Sequence, residues 1–224
     1  MDREALKRRI ALVAAAAPLA IGGMLFLPAG TFDFWQAWLY MAVLFAPMFF
    51  VVLYFWKKDP EFLERRLRTR EKEARQGLIV RAGAAILLAG FLVPGLDRRF
   101  GWTDVPAEIS IAADVIVFVG YALIFLVFKE NSYAGRTIEV EKGQKVISSG
   151  PYSVVRHPMY LGVLAIYLAT PLALGSYAAL PPCALTIPLL VLRILNEEEV
   201  LRRDLAGYAE YCKKTKYRLI PLVW

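Results

Sequence analysis

Residues 159–195 read MYLGVLAIYLATPLALGSYAALPPCALTIPLLVLRIL. Two apolar runs meet at Gly175-Ser176, which is turn chemistry. Each run is shorter than the roughly 20 residues that a membrane-spanning helix needs. Their shortness and tight link predict a helical hairpin set in a bilayer rather than two independent spans. Pro171, Pro181, Pro182 and Pro188 lie inside it. Membrane helices tolerate such prolines where neighbouring helices re-satisfy the freed carbonyls.

The rest of the chain agrees. Hydrophobic residues make up 58% of it and mean hydropathy is +0.47, above the roughly 45–50% apolar content of soluble domains. Six apolar segments run near 10–29, 35–56, 78–96, 106–128, 159–175 and 178–195. The expected fold is all-α: a polytopic membrane helical bundle ending in a hairpin, with a cytoplasmic cofactor pocket. It is one membrane domain, four N-terminal spans in 1–128 and a core with a C-terminal cap in 129–224. MDREALKRR is followed by about twenty apolar residues, longer than a signal core, so the first segment reads as a retained helix. Cys183 and Cys212 form no framework, and His157 is the single histidine, which argues against a protein-built transition-metal site.

Charge sets the orientation. The net charge of +7 fits loops beside anionic lipid, not a nucleic-acid partner. Basic residues crowd the N-terminus, the 57–77 loop, the 129–157 stretch and the tail, while only Arg98 and Arg99 lie on the other side. Both ends and the 150–158 turn are therefore expected in the cytoplasm. Within 57–77, Glu61–Arg65, Glu64–Arg68 and Glu71–Arg75 are spaced i, i+4. This predicts an interfacial helix with Phe62, Leu63 and Leu67 dipped among headgroups.

Chemistry gathers in two stretches. In GPYSVVRHPMYLG (150–162), Pro158 suits the first position of a helix and His157 its start. Free N–H groups and the helix dipole favour an anion there, and Arg156 adds a donor fork. The alternative is that Arg156 and His157 anchor the helix among headgroups. In RILNEEEVLRRDLAGYAEYCKKTKYRLIP (193–221), Arg193 and Glu197 share a helix face, with Glu198 beside them. Topology brings both stretches to one cytoplasmic cleft, where Glu130 and Asn131 also end a span. Asp114 is expected to be structural, hydrogen-bonded between helices. No nucleotide-binding glycine loop, HExxH or GxSxG is present.

Taken together, GPYSVVRHPMYLG, RILNEEEVL, GYAEY and RLIP resemble the isoprenylcysteine carboxyl methyltransferase family, which belongs with the phospholipid N-methyltransferases among membrane methyltransferases. The resemblance covers about 129–224. It implies S-adenosyl-L-methionine as methyl donor and a lipophilic acceptor arriving from the bilayer, most simply the carboxylate of an isoprenylcysteine-like lipid. It places the donor against Gln144, Lys145, Val146, Ile147, Tyr152, His157, Pro158, Met159, Tyr160 and Glu197. Arg193 would face the acceptor. Glu198 or Glu130 would serve as base if the acceptor were an amine, as in a lipid N-methyltransferase. Two other classes remain: an NADPH-dependent membrane reductase and a non-enzymatic membrane protein. Sterol reductases share an RHP-like turn but carry an asparagine and an acid where this chain has Met159 and Val163.

Overall fold

The computed structural model describes residues 3–67, 74–135, 140–141 and 143–224. Nine α-helices follow one another in these residues. They are α1 (Arg3–Ala29), α2 (Trp35–Lys58), α3 (Pro60–Arg66), α4 (Ala74–Phe100), α5 (Ala107–Glu130), α6 (Pro158–Ala173), α7 (Leu180–Ala184), α8 (Thr186–Asp204) and α9 (Tyr208–Lys214). A 3-10 turn, Gly150–Ser153, precedes α6. Among the described residues there is no strand.

Five stretches are long and apolar enough to cross a membrane: α1, α2, Gly77–Phe100 of α4, α5, and Leu180–Asp204, which takes in α7 and α8. The sixth apolar segment is α6, with 16 residues. At about 1.5 Å per residue it is shorter than a hydrocarbon core of about 30 Å. It turns back into α7 at Gly175, whose φ of +70° suits glycine and whose missing side chain leaves room for Gln36. The predicted hairpin is thus present, one arm short and the other broken once, at Leu185.

Close backbone approach holds α5 to α6. A Cβ on Gly120 would lie 2.9 Å from the Gly162 carbonyl oxygen, and one on Gly162 would lie 2.8 Å from that of Gly120. Helices in lipid gain little from apolar burial against each other, so such small-residue contacts carry their packing. Gly95 does the same between α4 and α1, where a Cβ would meet the Leu25 carbonyl at 2.5 Å.

Two polar clusters mark the bundle's ends. At one end, buried Asp97 accepts from the Thr103 N–H (2.8 Å), the Thr103 hydroxyl (2.5 Å) and the Ser176 hydroxyl. This ties the α4–α5 loop to the hairpin turn, and Arg98 pairs with Asp33 at 3.5 Å nearby. At the other end, Asp59 joins α2 to α3. Its N–H bonds the Phe55 carbonyl and its carboxylate accepts from the Phe62 N–H at 2.9 Å, with Pro60 at the first helical position.

Two expectations fail here. Phe62 and Leu63 are not among headgroups: both are buried, with Phe62 packed between Phe55 and Phe128 at ring distances of 4.4 and 5.0 Å. The sharp turn at Asp59 folds α3 back under the ends of α2 and α5. Glu61 and Arg65 do pair, at 3.7 Å, whereas Arg68, Glu71 and the Arg75 side chain lie outside the described residues. Asp114 is buried as expected, yet neither carboxylate oxygen has a hydrogen-bond partner, nor does the Ser110 hydroxyl one turn earlier. The stripe of α5 that carries them also carries Val117 of the apolar core, and no neighbouring polar side chain reaches it.

Candidate active site

Three elements meet at the α3 end of the bundle. Gly150 opens the turn before α6 with φ +55°, where its bare Cα lies against the Glu130 side chain. Ser149 donates to the same Glu130 carboxylate. His157 caps α6 without a side-chain cap bond, and Pro158 starts the helix. The tail then straps this turn down. The N–H groups of Arg156 and His157 donate to the carbonyls of Tyr217 and Arg218, both at 2.9 Å, and Arg156 Nη2 donates to the Lys216 carbonyl at 3.1 Å.

The two acids on α8 do different work. Glu197 faces a cavity. Its Oε2 accepts from the Tyr160 hydroxyl at 2.5 Å, and that hydroxyl in turn accepts from Arg193 Nε at 2.9 Å. Its Oε1 stands 3.9 Å from His157 Nδ1. Glu198 lies behind, 3% exposed. It meets Arg156 Nη1 at 2.9 Å, Arg218 Nε at 3.2 Å, His157 Nε2 at 3.4 Å and Arg202 Nη2 at 3.6 Å.

The cavity gathers Gln144, Lys145, Val146, Ile147, Tyr152, His157, Pro158, Met159, Tyr160, Arg193 and Glu197 into one wall. Of the residues singled out in the sequence for donor or acceptor, Glu198 is absent from that lining. Glu130 is exposed beside Gly150 and also outside it, while Asn131 lines the cavity and donates to the Tyr152 hydroxyl at 2.9 Å. Arg66 braces the lining residue Gly135 from outside: Nη1 donates to the Gly135 carbonyl at 2.8 Å, and the guanidinium sits 4.7 Å over Phe128.

The sequence reading missed the contribution of α9. Tyr208 and Tyr211, three apart in GYAEY and so on one helix face, both line the cavity with Leu201 and Leu205. The Tyr211 hydroxyl donates to the Tyr152 carbonyl at 2.7 Å. Burial pushes the Tyr211 phenol up to about 12. Burial likewise holds Tyr152 well above its ordinary value, against the opposing Asn131 hydrogen bond. These phenols keep their protons at neutral pH. Arg156, half-read as a ligand fork, spends both terminal nitrogens on Glu198 and Lys216, which leaves Nε without a partner. The buried Tyr208 hydroxyl has none either.

Residues 109–206 match the family model described as phospholipid methyltransferase. The fold is that of the eukaryotic intramembrane Ras methyltransferase ICMT (isoprenylcysteine carboxyl methyltransferase), at a TM-score of 0.50 and 13% identity, covering 100% of this chain and 88% of that one. Its five long apolar helices make the protein an integral membrane protein. The chain is also similar to the mouse (Mus musculus) Delta(14)-sterol reductase TM7SF2, 36% identical over 105 residues. That alignment takes in 43% of this chain and 25% of the reductase, so the chain spans about a quarter of that curated relative's length.

Proposed function

We propose that the protein transfers a methyl group from S-adenosyl-L-methionine to a lipophilic acceptor in the membrane, most simply the carboxylate of an isoprenylcysteine-like lipid. One observation carries this: the Arg193–Tyr160–Glu197 chain of hydrogen bonds and His157 line the same cavity, beside two orphaned polar atoms. A purely apolar lipid site has no use for that wall, whereas a polar small molecule does. The residues fit the donor. Glu197 suits a cationic amino group, Tyr152 and Tyr211 offer ring faces, and Val146, Ile147, Leu201 and Leu205 give apolar contact. When bound, the donor supplies a methyl group on a sulfonium. The protein's part is alignment and exclusion of water.

The acceptor assignment rests on the acids. A carboxylate acceptor needs no proton removed, and Arg193, fixed by Tyr160, suits a carboxylate held by its fork. An amine acceptor, as in phospholipid N-methylation, needs a base. Glu198 is a poor one: three guanidiniums surround it and it lies off the cavity. The positive-inside pattern of the sequence supports a cytoplasmic cavity and cytoplasmic chain ends.

Calorimetry of the detergent-solubilised protein with S-adenosyl-L-methionine tests the donor. Saturable binding, lost in His157→Ala and in Glu197→Ala, is expected. No binding by the folded intact protein sinks this reading. The likeness to the mouse sterol reductase favours a second one, a nicotinamide cofactor in the same cavity. Met159 and Val163 stand against it, and a parallel titration with NADPH decides between them.

A further inference from the structure

Past the residues that strap down the turn before α6, the chain closes into a compact loop over 218–224. The Arg218 and Leu219 N–H groups donate to the Trp224 carbonyl at 2.9 and 3.0 Å. The Val223 and Trp224 N–H groups donate to the Ile220 carbonyl at 3.2 and 3.0 Å. Pro221 has no N–H to satisfy. Most of the loop's donors are thus bonded internally, as backbone near lipid requires. Its side chains divide. Leu219 is buried in the apolar cluster of Tyr160, Leu190 and Ile194, with Trp224 packed against it. Leu222 and Val223 are 86% and 76% exposed, and Ile220 is exposed beside them. Leu222 also has a φ of +66°, the one non-glycine among the described residues in the left-handed region. That conformation is unfavourable for a leucine, and backbone strain of this kind gathers at functional segments.

Two observations say what covers this tip. The first is its level. Leu190 and Ile194 lie in the membrane-crossing stretch Leu180–Asp204, in which Leu192 and Leu195 are also exposed. Leu219 therefore meets α8 at a depth where that helix still presents leucine outward, and the tip continues the same apolar surface. The second is charge. Residues 211–224 carry Lys213, Lys214, Lys216 and Arg218 and no acid. Lys214 and Lys216 are exposed, and the Arg218 guanidinium stands 5.3 Å over the Trp224 ring. An apolar tip flanked by lysine, arginine and tryptophan is the complement of acyl chains beneath anionic headgroups. We propose that the tip, residues 220–223, inserts shallowly into the leaflet at the cavity end, with Lys214, Lys216 and Arg218 on its anionic headgroups. The tail is then held twice, by the turn before α6 through the Tyr217 and Arg218 carbonyls and by the bilayer through Leu222 and Val223. This goes beyond the methyl-transfer reading and stands without it.

The test reads depth with a nitroxide label on the full chain in nanodiscs. Leu222→Cys carries the label in a Cys212→Ser background, with the buried Cys183 left in place. Val223→Cys repeats the reading should the left-handed turn not accept cysteine at 222. Ala206→Cys, exposed just past the end of α8, is the aqueous reference. Collision with oxygen, which partitions into acyl chains, is compared with collision with a water-soluble nickel chelate. In discs of phosphatidylcholine with phosphatidylglycerol, the label on the tip is expected to favour oxygen severalfold more than the label at 206 does. That preference is expected to fall in pure phosphatidylcholine, and to fall in the mixed discs as salt is added. A tip that matches the aqueous reference lies in water and overturns the anchor. A tip shielded from both reagents is covered by protein, a second copy of this chain included, and overturns it as well. Equal readings in the two lipid mixtures overturn the pairing with anionic headgroups.

Discussion

Replacing Glu198 by alanine should unfold this protein more readily than any other single change on α8. The Arg156 and Glu198 side chains are only 6% and 4% exposed, and their charged atoms meet at 2.9 Å. Alanine would leave the Arg156 guanidinium buried with no counter-charge close by. Breaking such a pair from one side costs about 3–5 kcal/mol. The other cations around Glu198 add little: Arg202 and Arg218 are 46% and 29% exposed, and pairs of that kind contribute up to about 1 kcal/mol. The assay is unfolding in mixed micelles with increasing denaturing detergent, followed by circular dichroism, for Glu198→Ala, Arg202→Ala and the double variant Arg156→Met/Glu198→Leu. The expected order is a large loss for Glu198→Ala, a loss below about 1 kcal/mol for Arg202→Ala, and a double variant milder than Glu198→Ala because no charge is stranded. A Glu198→Ala protein within about 1 kcal/mol of the parent, or a double variant worse than Glu198→Ala, would refute the reasoning.

Three further outcomes follow from the geometry. Gly162→Ala should cost about 1–3 kcal/mol by overpacking, since its Cβ would sit 2.8 Å from both the Gly120 carbonyl oxygen and Ile124 Cγ1; the same unfolding assay reads it. Asp97→Ala strands the Thr103 N–H and the buried Ser176 hydroxyl, so it should lower stability by about 1–3 kcal/mol while donor affinity by calorimetry stays unchanged, the site being at the opposite end. Tyr211 should ionise late. The stability held in its raised phenol is full below its unfolded value near 10 and is lost as pH rises toward about 12, so an ultraviolet titration at pH 11 should show less tyrosinate from Tyr211 than from a free phenol, with Tyr211→Phe as reference.

Much of the architecture was legible because membranes simplify the code. Apolar length marks helices directly, and Gly175 marks the hairpin turn, so the six segments and the turn emerge from sequence alone. The cluster of residues around His157 was legible for a different reason: distinctive residue types recur at set spacings across 150–221. What the sequence hid were contacts between distant segments. The i, i+4 charge pairs of α3 look like a solvated helix, and only the aromatic rings of Phe55 and Phe128, brought from α2 and α5, bury Phe62. Arg156 looked free to grip a ligand until Glu198, 42 positions on, took one of its nitrogens. Tyr208 carried no signal beyond its place in GYAEY, since an unpartnered hydroxyl is a property of the folded wall. Asp114 shows the limit from the other side: a polar residue in an apolar span predicts a partner, and the packed helices provide none.

The strap formed by Tyr217 and Arg218 has a consequence for how the protein is made. The carbonyls of these two residues hold the N–H groups of Arg156 and His157, some sixty positions earlier in the chain. Synthesis proceeds from the N-terminus at about 5–20 residues per second. Every membrane-crossing apolar helix is therefore complete and available to the bilayer before the strap exists. A chain cut before Tyr217 leaves the Arg156 and His157 N–H groups without these two carbonyl partners. Insertion of the helices and pinning of the turn before α6 are separated in time.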